Sequence, residues 1–226
     1  MLKDIYYLSK KDLLLEFRKK ETLFSMSLFC FASVLIFSAL FSFIDLPLET
    51  KYGISTAFIW FIITFAIMLG LSSIFSREIK QNSIYSLLSL SVKPQAIFIS
   101  KLLYLGVMLA IIEILTIILA VVFLRIGTGV KFLSFLLVLT IGTIDLTIAG
   151  CIVAFLTLYA KSKTLAVPIL FFPLILPSVL IATQTSLNIA LFSDIESVIS
   201  NSLILFFHSV VLLVLALLMT NELISD

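Results

Sequence analysis

An all-α integral membrane protein with six spans is what this sequence predicts, and three observations predict it. The chain is 62% hydrophobic and only 12% charged over 226 residues, whereas a soluble domain is nearer half apolar and a quarter charged. The apolar residues fall into six runs, each long enough to cross a hydrocarbon core of about 30 Å at about 1.5 Å per residue. Lys and Arg gather on alternate connections, as in a multi-pass chain.

Met1 to Thr22 reads as an amphipathic helix. Leu2, Ile5, Tyr6, Leu13 and Phe17 fall on one side, while Lys3, Lys10, Lys11, Arg18 and Lys19 lie mostly on the other. Such a helix lies flat on an anionic leaflet, its lysines near the lipid headgroups. Charges interrupt it throughout, so it is not read as a cleavable signal. The first span is Phe24 to Ile44, closed by Asp45-Leu46-Pro47. The second, Ile54 to Phe75, carries Trp60, whose ring suits a level near the outer interface.

Ser76 to Lys101 is the longest polar-containing break. Its middle can form a short amphipathic helix, with Ile84, Leu87, Leu88 and Ser91 at helical spacing and Lys80, Gln81, Asn82 and Ser86 opposite. Pro94 stops that helix and begins a new element. Two readings stand: an interfacial helix under headgroups, and a lever that a soluble partner pushes.

The third span runs from Gln95 to Leu124, and the fourth from Phe132 to Tyr159. The fifth, Thr164 to Thr183, contains Pro168, Pro173 and Pro177. Each removes a backbone donor, so this span is expected to be kinked and packed against neighbours. Gln184 to Ser197 reads as an interfacial stretch that dips back into the membrane. The sixth span is Val198 to Met219. With the N-terminus inside, inner segments hold twelve Lys and Arg and outer loops hold three, Lys51, Arg125 and Lys131. Both termini are therefore expected to be cytoplasmic. The whole chain, 1–226, reads as one transmembrane domain.

Three ionisable side chains fall inside spans: Glu113, Asp145 and His208. Helix rise puts Glu113 about 18 Å above Lys101, Asp145 about 21 Å below Lys131, and His208 about 15 Å inside the sixth span. Such groups are expensive in hydrocarbon. They are read either as a polar cluster between the third, fourth and sixth spans that relays protons or lines a path, or as hydrogen-bonded packing. Cys30 and Cys151 fall inside apolar runs and read as buried thiols. No phosphate-binding G-x-x-x-x-G-K-[ST] motif, Ser-His-Asp pattern or HExxH pattern occurs, and with one histidine no ordinary zinc site is expected. The chain is thus expected to be non-catalytic. Its basic residues cluster at span ends, which argues against a nucleic-acid partner.

Four stretches together resemble the CcmB family, the haem-exporter B membrane subunits of cytochrome c maturation. Lys11 to Glu21, KDLLLEFRKKE, is similar to a basic, leucine-rich leading segment. Ser55 to Ile79, STAFIWFIITFAIMLGLSSIFSREI, is similar to the family's second span, with its tryptophan and Arg-Glu exit. Ile84 to Leu103, IYSLLSLSVKPQAIFISKLL, resembles its cytoplasmic Leu-rich helix, although Ser91-Val92-Lys93-Pro94 stands where a Ser-Pro is common. Pro168 to Leu180, PILFFPLILPSVL, resembles its proline-marked fifth span.

The resemblance implies an ABC-2-type permease fold in the inner membrane, working as a homodimer with a CcmA-type ATPase. It also implies a CcmC-type haem-handling protein, a CcmD-type small subunit and a CcmE-type haem chaperone. ATP and haem would be handled by those partners, with no cofactor bound here. His208 is then not expected to ligate haem. Segment 76–91 would be the coupling helix, with Arg77, Glu78 and Lys80 in charged contacts and Ile84, Leu87 and Leu88 in an apolar notch. Two alternatives stand beside this: an ABC-2 permease for lipid or polysaccharide, and a proton-coupled carrier using Glu113 and Asp145.

Overall fold

The computed structural model describes residues 1–44, 47–71, 74, 92–124, 130–158, 162–191 and 195–225. Among them are seven helices and no strand: α1 (Leu2–Lys19), α2 (Glu21–Phe43), α3 (Leu48–Leu71), α4 (Pro94–Leu124), α5 (Val130–Leu156), α6 (Lys163–Leu191) and α7 (Ile195–Ser225). Helices α2 to α7 are each long and apolar enough to cross a membrane, so the protein is an all-helical, multi-pass membrane protein. Segment 76–91, expected as the coupling helix with Arg77, Glu78, Lys80, Ile84, Leu87 and Leu88, lies outside the described residues.

α3 and α5 are the most buried spans. α3 packs on α2, α4, α5 and α6, and α5 on α3, α4, α6 and α7. Lipid tails are as apolar as Leu, so close packing rather than hydrophobicity must hold these helices together. Glycines supply the closeness between α3 and α5. A Cβ at Gly150 would stand 2.8 Å from Leu71 and 2.9 Å from Ile67, and one at Gly142 would enter the Trp60 ring. The peripheral α2 is held on α3 by aromatic contacts, with Phe37 stacked on Phe58 at 3.4 Å between centroids.

Trp60 does not face lipid but sits inside the bundle. It is 1% exposed, lies against Gly142, and donates its Nε1 hydrogen to Ser186 Oγ at 3.0 Å. That bond gives the indole the partner a buried Trp requires.

The stretch from Gln184 to Leu191 is likewise not a separate interfacial dip, because α6 continues through it. Thr185 and Ser186 return hydrogen bonds to the carbonyls of Ile181 and Ala182, which satisfies both hydroxyls inside the helix. Leu187 fills the space above Gly53 of α3. All three prolines lie within this one uninterrupted helix. Val167, Phe171, Ile175, Ser178 and Ala182 face the bundle, whereas Pro173 and Pro177 are exposed and Pro168 is half-buried. The helix packs against its neighbours, as its sequence requires, but with its prolines turned mainly away from them.

Candidate functional site

Two sets of buried polar side chains stand out. One lies at the end of the bundle that bears α1, and the other inside the spans.

α1 buries Ile5, Ser9, Asp12 and Glu16. These residues recur at steps of four, three and four, one stripe of a helix, and the stripe faces α4. The seam is thus mostly polar, while Leu2, Tyr6 and Phe17 remain exposed beside it. Asp12 Oδ2 lies 2.9 Å from Lys101 Nζ, in an ion pair whose side chains are 9% and 3% exposed. Lys101 Nζ also donates to the carbonyl of Ile74 at 3.1 Å. One turn further along both helices, Tyr104 donates its hydroxyl hydrogen to Glu16 Oε2 at 3.2 Å.

Glu16 also closes the junction to the first span. Lys20, in the left-handed conformation at φ 57°, is the only residue between α1 and α2. The backbone N–H groups of Thr22 and Leu23 donate to Glu16 Oε1 at 2.9 and 3.2 Å. Those groups belong to the first turn of α2 and have no partner within that helix. A carboxylate from α1 thus does the work of an N-cap, where an acidic group also suits the helix dipole. Sequence periodicity missed Asp12 and Glu16 because it scores apolar stripes, and two acids do not register in one. The usable signal was their spacing, i and i+4, matched by Lys101 and Tyr104 at i and i+3.

Within the spans, Glu113, Asp145 and His208 do not form one cluster. His208 Nδ1 lies 2.8 Å from Asp145 Oδ1, and Ser209 donates to the same oxygen at 2.9 Å. Asp145 is fully buried and the His208 side chain is 26% exposed. Glu113 instead accepts a hydrogen bond from Thr143 at 2.9 Å. Thr143 and Asp145 are two residues apart on α5, and such residues do not share a helix face. α5 therefore splits the acids into an Asp145–His208–Ser209 centre against α7 and a Glu113–Thr143 pair against α4.

Glu113 lines a groove of about 500 Å³ between α4, α5 and α7, beside Gly106, Ala110, Thr147 and Leu213. Among the described residues no lysine, arginine or histidine lines it. Among the described residues no group of three or more His, Cys, Asp or Glu side chains could hold a metal ion. Asp145, His208 and Ser209 satisfy one another by hydrogen bonds, which lowers the cost of ionisable side chains in hydrocarbon. These bonds join α5 to α7.

A family model described as CcmB protein matches residues 3–223, nearly the whole chain. A search of the curated proteins found no match.

Proposed function

The chain belongs to the CcmB family, the membrane subunits of the haem exporter of cytochrome c maturation, and from that premise we propose that it converts ATP hydrolysis by a partner ATPase into movement of its spans. In this reading two copies pair with two CcmA-type ATPase chains at the inner membrane, with both termini on the ATPase side. CcmC-, CcmD- and CcmE-type partners handle haem, and the cycle drives export or the release of haem-loaded chaperone. Haem and ATP stay with the partners, and lipid or polysaccharide is not the cargo.

The observation that supports this reading is the way the chain flanking segment 76–91 is held. Ile74 precedes the segment and Lys101 follows it, and the two are joined by a hydrogen bond. A displacement of a segment anchored so closely at both sides reaches the spans instead of being lost in slack. Arg77, Glu78 and Lys80 make charged contacts with the ATPase, and Ile84, Leu87 and Leu88 fill its apolar notch.

The test is co-purification in mild detergent. Replacing Leu87 and Leu88 with Asp separates the ATPase from the permease while the permease remains in the membrane. ATPase binding at the wild-type level in that variant would sink the docking assignment.

A further inference from the structure

Lys101 joins three pieces of chain that lie far apart in sequence: Asp12 of α1, Ile74 after α3, and its own helix α4. The second rung, Glu16 to Tyr104, runs beside the first and extends to the start of α2 through Thr22 and Leu23. Together the rungs connect the same end of the first three spans.

Adhesion alone does not explain this choice of residues. A buried ion pair gives back much of its attraction in desolvation, and well-packed apolar side chains of similar size hold helices at least as firmly. What the polar rungs supply is a fixed register. Among the described residues the ammonium meets the Asp12 carboxylate and the Ile74 carbonyl, and the Glu16 carboxylate meets the hydroxyls of Thr22 and Tyr104 and two N–H groups. Sliding α1 along α4 by one residue breaks the Asp12–Lys101 and Glu16–Tyr104 bonds together.

Resting on the coupling reading above, we infer that Lys101 is a positioning residue of the transport cycle. Through Asp12 and Ile74 it makes α1, the end of α3 and the start of α4 one rigid body. A displacement imposed on segment 76–91 then passes to α1 and, through the Glu16 cap, to the first span. In this arrangement α1 is a fixed arm of the coupling machinery and not a float on the lipid surface.

The test uses the assembled complex with its ATPase in lipid nanodiscs. The variant combines Asp12→Asn with Lys101→Met, which removes both members of the ion pair at once. The readouts are ATPase co-purification, ATP turnover, and haem-loaded chaperone released per ATP. The expected result is unchanged co-purification, continued hydrolysis, and release per ATP lowered roughly 3- to 30-fold, the range of mutational effects on coupling. The exchanged pair, Asp12→Lys with Lys101→Asp, restores part of the loss. Wild-type release per ATP in the neutral double variant overturns the inference. Failure of the wild-type chain to bind any ATPase overturns the coupling reading itself.

A second measurement leaves the clasp intact and so does not depend on how its variants fold. Spin labels on Lys10→Cys and Leu103→Cys, both exposed positions, report the separation of α1 and α4. That distance stays constant between nucleotide-free and ATP-bound complexes if the two helices move as one. A change with nucleotide overturns the inference.

Discussion

The imidazole Nδ1 of His208 lies 2.8 Å from Oδ1 of Asp145, and no described side chain hydrogen-bonds the other oxygen of that buried carboxylate. The pair makes removal of either member unequal. His208→Ala leaves Asp145 in the bundle with Ser209 as its side-chain donor and costs roughly 3 kcal/mol. Asp145→Asn keeps a neutral oxygen for Ser209 and His208 and costs about 1 kcal/mol. Thermal unfolding in detergent checks the order. Equal and small effects would mean that the two side chains do not meet.

Gly142 and Gly106 are both helical glycines, yet they tolerate a methyl group differently. A Cβ at Gly142 enters the Trp60 ring, whereas one at Gly106 meets only Thr147, at 3.7 Å. Gly142→Ala lowers stability by about 1–3 kcal/mol through overpacking against a ring that cannot move aside. Gly106→Ala is neutral or stabilising by up to about 1 kcal/mol, since alanine is the better helix former. Melting curves of the two variants separate these outcomes.

Trp60 is the single tryptophan of the chain, so fluorescence reads its site directly. Its 1% exposure predicts blue-shifted emission and little quenching by aqueous iodide. An interfacial ring would be quenched. Ser186→Ala removes the acceptor of the indole N–H and lowers stability by about 1 kcal/mol.

Lys20 holds a left-handed conformation between α1 and α2, which is unfavourable for a side chain with a Cβ. Lys20→Gly is tolerated or slightly stabilising, because glycine adopts positive φ without that penalty. Lys20→Val loses about 1–2 kcal/mol, since a β-branched residue strains most there. Detergent stability and the yield of folded protein both read this difference. Equal behaviour of the two variants would show that the junction does not need positive φ.

Six long apolar runs were legible because the contrast between hydrocarbon and water acts along the chain, one span at a time. The structure keeps all six, with the helix of the fifth running on from Thr183 to Leu191 and that of the sixth from Met219 to Ser225, and the order of motifs was enough to bring the family into view. The packing of Trp60 was not legible, because an amphipathic ring also suits a headgroup level. Only the bare backbone of Gly142 on α5 and the hydroxyl of Ser186 on α6 made a buried site for it. Gln184 to Leu191 looked too polar for a span, yet its Thr185 and Ser186 hydroxyls bond back onto their own helix.

What the sequence determined by itself is therefore the number of spans, the membrane-protein class and the family. Only the tertiary structure decided which faces meet, that Asp12 finds Lys101, and that Glu113 and Asp145 belong to separate centres. The physical reason lies in the solvent. A soluble helix shows its buried face as an apolar stripe against a polar one. A membrane span is apolar on the side facing lipid and on the side facing protein, so periodicity hardly distinguishes them. The choice falls to steric fit and hydrogen-bond satisfaction between residues distant in sequence, and those exist only once the helices are brought together.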